Sequence, residues 1–149
     1  DRIDKSGINS KLLAFEITES GAAINFSKTL KFVSTLKHMG CCFILDDFGT
    51  GLSSFTCLQS LNVDYLKIDG HFVKRILRSD VDLRVLDAIV QIGRSLHITT
   101  IAECVESELI FRKMEMLGVD LAQGYYFQEP VRLKEYQQNV QKTPAIYSE

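Results

Sequence analysis

Three features of the chain predict an α/β fold built on a parallel sheet of about five strands. Short apolar runs alternate with longer stretches of helical period, the pattern of strands joined by crossover helices. The runs are apolar at nearly every position, so both faces of each strand are expected to be covered. A polar residue also falls at or near the C-terminal end of each run: Glu16, Asp46 with Asp47, Lys67, Glu103 and Gln123. Parallel strands bring those ends to one side of the sheet, and in barrels that side carries the active site.

Taken in order, residues 1–10 are polar and carry no clear element. Leu12–Thr18 reads as a buried strand with one acid, closed by Glu19-Ser20-Gly21. From about Ala23 to Met39 the residues Ile24, Phe26, Leu30, Val33 and Leu36 recur at near-helical spacing, and Gly40 suits a helix C-cap. Cys41–Leu45 is the second strand and runs straight into Asp46-Asp47-Phe48-Gly49-Thr50-Gly51. Neighbouring strand residues face opposite ways, so the two acids are expected to work together only where the strand has ended and the chain turns.

Ser53–Leu61 predicts a short helix, and Val63–Asp69 a third strand turned by Gly70. A longer helix follows from about Val81 to Leu96, its apolar side formed by Leu83, Leu86, Ile89, Val90 and Gly93. Ile98–Glu103 is the fourth strand, and Ser107–Leu117 a helix stopped by Gly118. Leu121–Phe127 is a fifth strand or strand end, terminated by Pro130. Leu133–Val140 is expected as a last helix, and the tail after Thr143 is expected to fray.

Composition narrows the function classes. A chain of 149 residues with 46% hydrophobic and 24% charged residues is ordinary for one globular domain or part of a larger one. A net charge of −2 leaves no basic footprint for a DNA or RNA duplex. No apolar run approaches the roughly 20 residues that span a bilayer. The four cysteines form no C-x-x-C pair and three lie in apolar stretches, so buried, reduced thiols in a cytoplasmic protein are expected. His38, His71 and His97 lack metal-ligand spacing, and helix C-termini account for His38 and His97.

The polar strand ends therefore carry the chemistry. Four carboxylates (Glu16, Asp46, Asp47 and Glu103), one lysine and one glutamine make an all-oxygen, charge-compensated set. Hard ions such as Mg²⁺ or Mn²⁺ prefer oxygen ligands, and the lack of usable His or Cys argues against zinc. Adjacent aspartates can flank two ions roughly 3.5–4 Å apart, the spacing that suits in-line phosphoryl displacement. Lys67 either balances the carboxylates or holds an attacking water or a phosphate oxygen. Asp47-Phe48-Gly49 also prompts a kinase-like reading, but a kinase needs a glycine-rich nucleotide loop and an H-R-D catalytic loop, and neither is here.

Five motifs in order give the chain a family resemblance. Phe15-Glu16-Ile17-Thr18-Glu19-Ser20, Asp46-Asp47-Phe48-Gly49-Thr50-Gly51 with Ser53-Ser54, Lys67-Ile68-Asp69 with Phe72-Val73, Ala102-Glu103 with Val105-Glu106, and Gln123-Gly124-Tyr125-Tyr126-Phe127 with Pro130 resemble the EAL domain over about residues 10–131. The resemblance implies the C-terminal part of a (β/α)8 TIM-type barrel, with a C-terminal helix and tail over 132–149. It implies hydrolysis of cyclic di-GMP to linear pGpG with Mg²⁺ or Mn²⁺. Glu16, Asp46, Asp47 and Glu103 then resemble the metal ligands, and Glu103 also the base for the attacking water. Lys67 resembles the residue that orients that water, and Gln123 the one that hydrogen-bonds in the site. Glu19 resembles the glutamate that braces the loop Phe48–Ser54, with Phe48, Gly49, Thr50 and Gly51 in its regulatory segment.

The chain also departs from the family pattern. The Glu-Ala-Leu signature and the upstream metal-binding asparagine are absent from these residues. The chain is expected to begin just before the fourth barrel strand, lacking about three strands and two ligands of an incomplete two-metal site. Leu52 stands where the family usually has an aromatic residue, and Cys104 where it usually has glycine. Half a barrel exposes sheet edges and apolar faces, so a homo-oligomer or a missing N-terminal barrel half is expected as partner. The expected function is a portion of a cyclic di-GMP phosphodiesterase, the isolated piece being inactive and the parent cytoplasmic or membrane-tethered. The alternative is a degenerate module that binds cyclic di-GMP or a protein partner without hydrolysis.

Overall fold

A computed structural model of the chain describes residues 2–49 and 55–140. After a short helix α1 (Arg2–Ser6) and a 3-10 turn (Ser10–Leu12), the elements are β1 (Ala14–Thr18), α2 (Glu19–Ile24), α3 (Phe26–His38), β2 (Cys42–Phe48) and α4 (Phe55–Leu61). They continue with β3 (Tyr65–Ile68), α5 (Gly70–Arg75), α6 (Asp80–Leu96), β4 (Thr99–Ala102), α7 (Glu108–Leu117), β5 (Leu121–Ala122) and α8 (Leu133–Val140). The five strands form one parallel sheet in the order β1-β2-β3-β4-β5. Sequential order means that every crossover steps the same way, as in a stretch of α/β barrel.

The core lies between the sheet and its helices. Phe43 and Leu45 of β2, Leu66 and Ile68 of β3 and Ala102 of β4 are buried against Val33 of α3, Leu58 and Leu61 of α4, Val73 of α5, Leu86, Ile89 and Val90 of α6, and Ile110 and Met114 of α7. Each long helix turns an apolar stripe to the sheet because its apolar residues recur three or four apart. The starts of two strands are fixed by acids. Asp64 Oδ2 accepts from the Phe43 N–H at 2.8 Å while Asp64 Oδ1 meets Lys37 Nζ at 2.8 Å. Asp120 Oδ2 accepts from both the N–H and the hydroxyl of Thr100 at 2.7 Å, and Thr100 Oγ1 accepts in return from the Asp120 N–H at 3.1 Å.

Several expectations are corrected. The helix expected from Ala23 to Met39 is two helices. Asn25 breaks it with non-helical dihedrals, and its side chain accepts from the Lys28 N–H, so the residue caps the second helix instead of continuing the first. Glu19-Ser20-Gly21 does not merely close a strand. It opens α2, capped by Thr18 Oγ1, which accepts from the Gly21 N–H at 3.1 Å. The turn expected at Gly70 is helix α5, because Asp69 Oδ1 accepts from the His71 N–H and caps it. The fifth strand is only Leu121–Ala122, since the chain turns over 125–127 before it can pair further.

The thiols also differ from expectation. Cys41 is buried, but Cys42 and Cys104 are partly exposed, and all three are free. His38 ends α3, and His97 caps α6 in a left-handed conformation. No helix among the described residues is long and apolar enough to cross a membrane. The expected frayed tail after Thr143, together with Thr50–Ser54 of the loop, lies outside the described residues.

Candidate active site

The acid pair sits on β2 in a way the alternation of a strand does not allow. Between Leu45 and Phe48 the chain takes three steps while β3 takes two, from Leu66 to Ile68. One extra residue in one strand is a bulge. Asp47 occupies it at φ 56°, in the left-handed region that asparagine and aspartate tolerate better than most side chains. The strand therefore has not ended at the acid pair, contrary to expectation, and β2 pairs on through Phe48. The bulge brings two consecutive side chains to the same side, and Asp46 Oδ1 accepts from the Asp47 N–H at 3.0 Å.

Phe48 is accordingly a core residue at the end of β2, and the loop begins at Gly49. Glu19, only 2% exposed, reaches that loop: its Oε2 accepts from the Gly49 N–H at 3.0 Å. Thr18, the cap of α2, places Glu19 in the first turn of that helix, which aims its carboxylate at the loop. Thr50 and Gly51 lie outside the described residues.

Lys67, 6% exposed on β3, is the hub. Its Nζ lies 2.7 Å from Glu103 Oε1, 3.2 Å from Asp46 Oδ1 and 3.3 Å from Glu16 Oε1. Gln123 Nε2 donates to Glu103 Oε1 at 3.2 Å. Polar contacts thus run without a break across all five strands, from Glu16 on β1 to Gln123 just beyond β5. Burial alone would lower the Lys67 pKa, but hydrogen bonds to Glu103 and Asp46 and the charges of both outweigh it, so the ammonium is held above its usual range. Asp47 is pushed up by burial and by the charges of Asp46 and Asp69, against a smaller opposing effect of Lys67.

Among the described residues, Asp46, Asp47 and Glu103 bring one carboxylate oxygen each within 4.8 Å of one another. Three oxygen donors at that spacing, with the Asp47 pKa pushed up by burial and then by the neighbouring charges of Asp46 and Asp69, fit a hard divalent cation. Glu16 stands apart from this trio, half-exposed and joined to it through Lys67.

Two hollows border the cluster. One of about 270 Å³ is lined by Glu103, Gln123, Cys104, Lys74, Glu106 and Tyr125, with Lys74 Nζ paired to Glu106 Oε1 at 2.8 Å. Another of about 490 Å³ lies beyond Gln123 against Tyr125, Pro130 and Tyr136. The sequence reading passed over Lys74 and did not assign Tyr125 a place at the site. A lysine in the second turn of a short helix and a tyrosine in a turn carry no positional signal until the helix and the turn are known.

Comparison with known proteins follows the same residues. The EAL domain family model matches residues 1–130. The chain is 38% identical over 129 residues to the cyclic di-GMP phosphodiesterase PdeB of Shewanella oneidensis, covering 87% of this chain but 15% of that protein. It superposes with a TM-score of 0.86 and 31% identity on the PaMucR phosphodiesterase in complex with c-di-GMP, covering 90% of this chain and 54% of the other. The manganese and cy-diGMP complex of Klebsiella pneumoniae BlrP1 matches with a TM-score of 0.76 and 27% identity, over 83% of this chain and 31% of that one. The chain spans well under two thirds of each of these relatives. Its five parallel strands and their helices match the corresponding part of the EAL barrel, and the chain belongs to the EAL domain family.

Proposed function

We propose that this chain forms the C-terminal part of an EAL active site that hydrolyses cyclic di-GMP to linear pGpG. The observation that carries the reading is the hub at Lys67, where Glu16 of β1, Asp46 of β2 and Glu103 just after β4 meet one buried ammonium. The names of the relatives supply the substrate, and the BlrP1 complex supports manganese as one usable ion.

In this reading Glu16, Asp46, Asp47 and Glu103 hold two divalent ions, Mg²⁺ or Mn²⁺. Bound there, the ions supply Lewis acidity to a phosphodiester oxygen and to water. Lys67 orients the attacking water through Nζ, and the Glu103 carboxylate accepts its proton as the water oxygen bonds to phosphorus and the ring phosphorus–oxygen bond breaks, the departing ring oxygen taking a proton from solvent. Gln123 Nε2 keeps the Glu103 carboxylate turned towards Lys67 and hydrogen-bonds in the site. The hollow beside Tyr125 and Tyr136 offers flat walls for a purine. Glu19 braces the loop after β2 through Gly49 and links it to the acid pair. The open edges of β1 and β5 are covered in the working protein by an N-terminal barrel half or a second copy, and the free thiols suit the cytoplasm.

The full-length protein, incubated with cyclic di-GMP and Mn²⁺, is expected to release pGpG by chromatography. Asp46→Asn is expected to reduce the rate by on the order of a hundredfold or more while leaving the circular dichroism melt cooperative. Unchanged turnover in that variant removes the acid pair from the mechanism. The second reading, a receptor that binds without hydrolysing, draws on Cys104, which stands beside Glu103 at φ 54° where the family usually has glycine. Nucleotide binding by calorimetry in Ca²⁺, with no pGpG formed in Mn²⁺, selects it.

A further inference from the structure

The segment Glu103–Glu106 follows β4 and is held from both sides by glycines. On one side is Gly70, the buried first residue of α5: a Cβ added there would lie 2.5 Å from Cys104 Sγ and 2.9 Å from Cys104 Cβ, closer than real Cβ contacts. On the other side is Gly124, where an added Cβ would overlap the backbone nitrogen and oxygen of Val105. Backbone bonds tie the segment down between them. The Glu103 N–H donates to Ile68 O at 3.4 Å, the Val105 N–H to Gln123 O at 3.1 Å, and the Tyr126 N–H to Val105 O at 3.0 Å. Its far end is pinned by the Lys74–Glu106 ion pair.

We infer that Gly70 and Gly124 form a slot for this segment and that Cys104 wedges against Gly70, so that these residues are positioning residues for the Glu103 carboxylate. Cys104 holds a left-handed conformation that a side chain other than glycine adopts at a cost, and it does so one residue from Glu103. Its side chain fits only because position 70 has none. Any group added at 70 pushes on Cys104, and the displacement passes along one peptide unit to the carboxylate that Lys67 and Gln123 hold. The pair is therefore interdependent: the size of residue 104 sets what position 70 tolerates.

This inference rests on the phosphodiesterase reading for its kinetic part, and its test separates the two. Gly70→Ala, Cys104→Gly and the double variant are made in the full-length protein. Gly70→Ala is expected to lower kcat about tenfold or more with little change in KM, since a small misplacement of a reacting group acts on the chemical step. The double variant is expected to recover most of that loss and most of any loss in Tm, a coupling that independent sites do not show. Gly70→Ala with full kcat overturns the inference, and so does a double variant no better than Gly70→Ala alone. If the parent itself forms no pGpG, the phosphodiesterase reading fails. The slot is then judged by Tm and by Mn²⁺ binding in calorimetry, where recovery in the double variant upholds it and its absence overturns it.

Discussion

The Lys67 ammonium lies 2.7 Å from Glu103 Oε1, and the same nitrogen also meets Asp46 and Glu16, so a single buried cation holds three carboxylates from β1, β2 and the segment after β4. Removing it leaves those acids facing one another. Lys67→Met, studied with chelator present, is expected to cost about 1–3 kcal/mol of stability at neutral pH. The pH dependence has a definite sign. Because the folded pKa of Lys67 is raised above its ordinary 10.5, its contribution is complete below that value and is lost as pH rises through the folded one. Melts of parent and variant should differ by a constant amount from about pH 6 to about pH 9 and converge only in strong alkali. A difference that vanishes near neutrality contradicts the arrangement.

Asp47 points the other way. Its folded pKa is raised, so the folded state takes up a proton more readily than the unfolded chain, and stability falls as pH rises through that window. Above the window the ionised carboxylate is a standing penalty on the metal-free fold. Asp47→Asn is therefore expected to raise Tm at pH 7 in chelator and to weaken Mn²⁺ binding, with the gain in Tm disappearing below the ordinary aspartate pKa. A lower Tm for the variant at pH 7 counts against burial and neighbouring charge together raising the Asp47 pKa.

Glu19 and Gly49 give a test of the loop. Glu19→Ala deletes the acceptor for the Gly49 N–H and is expected to cost about 1–3 kcal/mol. Glu19→Gln keeps a side-chain oxygen and is expected to retain most of the stability. Chemical denaturation of the pair distinguishes the hydrogen bond from the charge. Equal losses in both variants mean that the charge matters.

Thr100 and Asp120 give a test of the sheet far from the acids. Thr100→Val preserves shape but removes the hydroxyl that donates to Asp120 and accepts from its N–H. A cost of about 1–3 kcal/mol is expected in urea unfolding, with an unchanged slope. A neutral effect means that solvent satisfies Asp120 unaided.

Much of this was legible in the sequence for a physical reason. Buried parallel strands must be apolar on both faces, so a lone Lys67 or Glu103 in such a run stands out, and its place at a strand end tells which side it faces. Gly40 and Gly118 marked helix ends for the same kind of reason. What sequence periodicity missed were competitions decided by one side chain. Asn25 and Asp69 capped helices that the apolar pattern either merged or did not suggest, because a cap depends on one oxygen meeting one N–H. Asp64 and Asp120 each follow a valine and precede a strand, a repeated signal that gains meaning only when their partners Phe43 and Thr100 are seen across the sheet. The acid pair was found, but for a mistaken reason, since hydropathy does not distinguish a strand that stops from a strand that bulges.

That bulge has a consequence for how the protein can change. Leu45 and Phe48 both point into the core although they are an odd number of positions apart, which a plain strand forbids. Delete Asp47, and Leu45, Asp46 and Phe48 fall into simple alternation opposite Leu66, Lys67 and Ile68. The sheet is complete with one acid fewer. The second aspartate is a surplus residue in the pairing register, and its loss would leave Asp46 and Glu103 on Lys67 without the third carboxylate of the cluster.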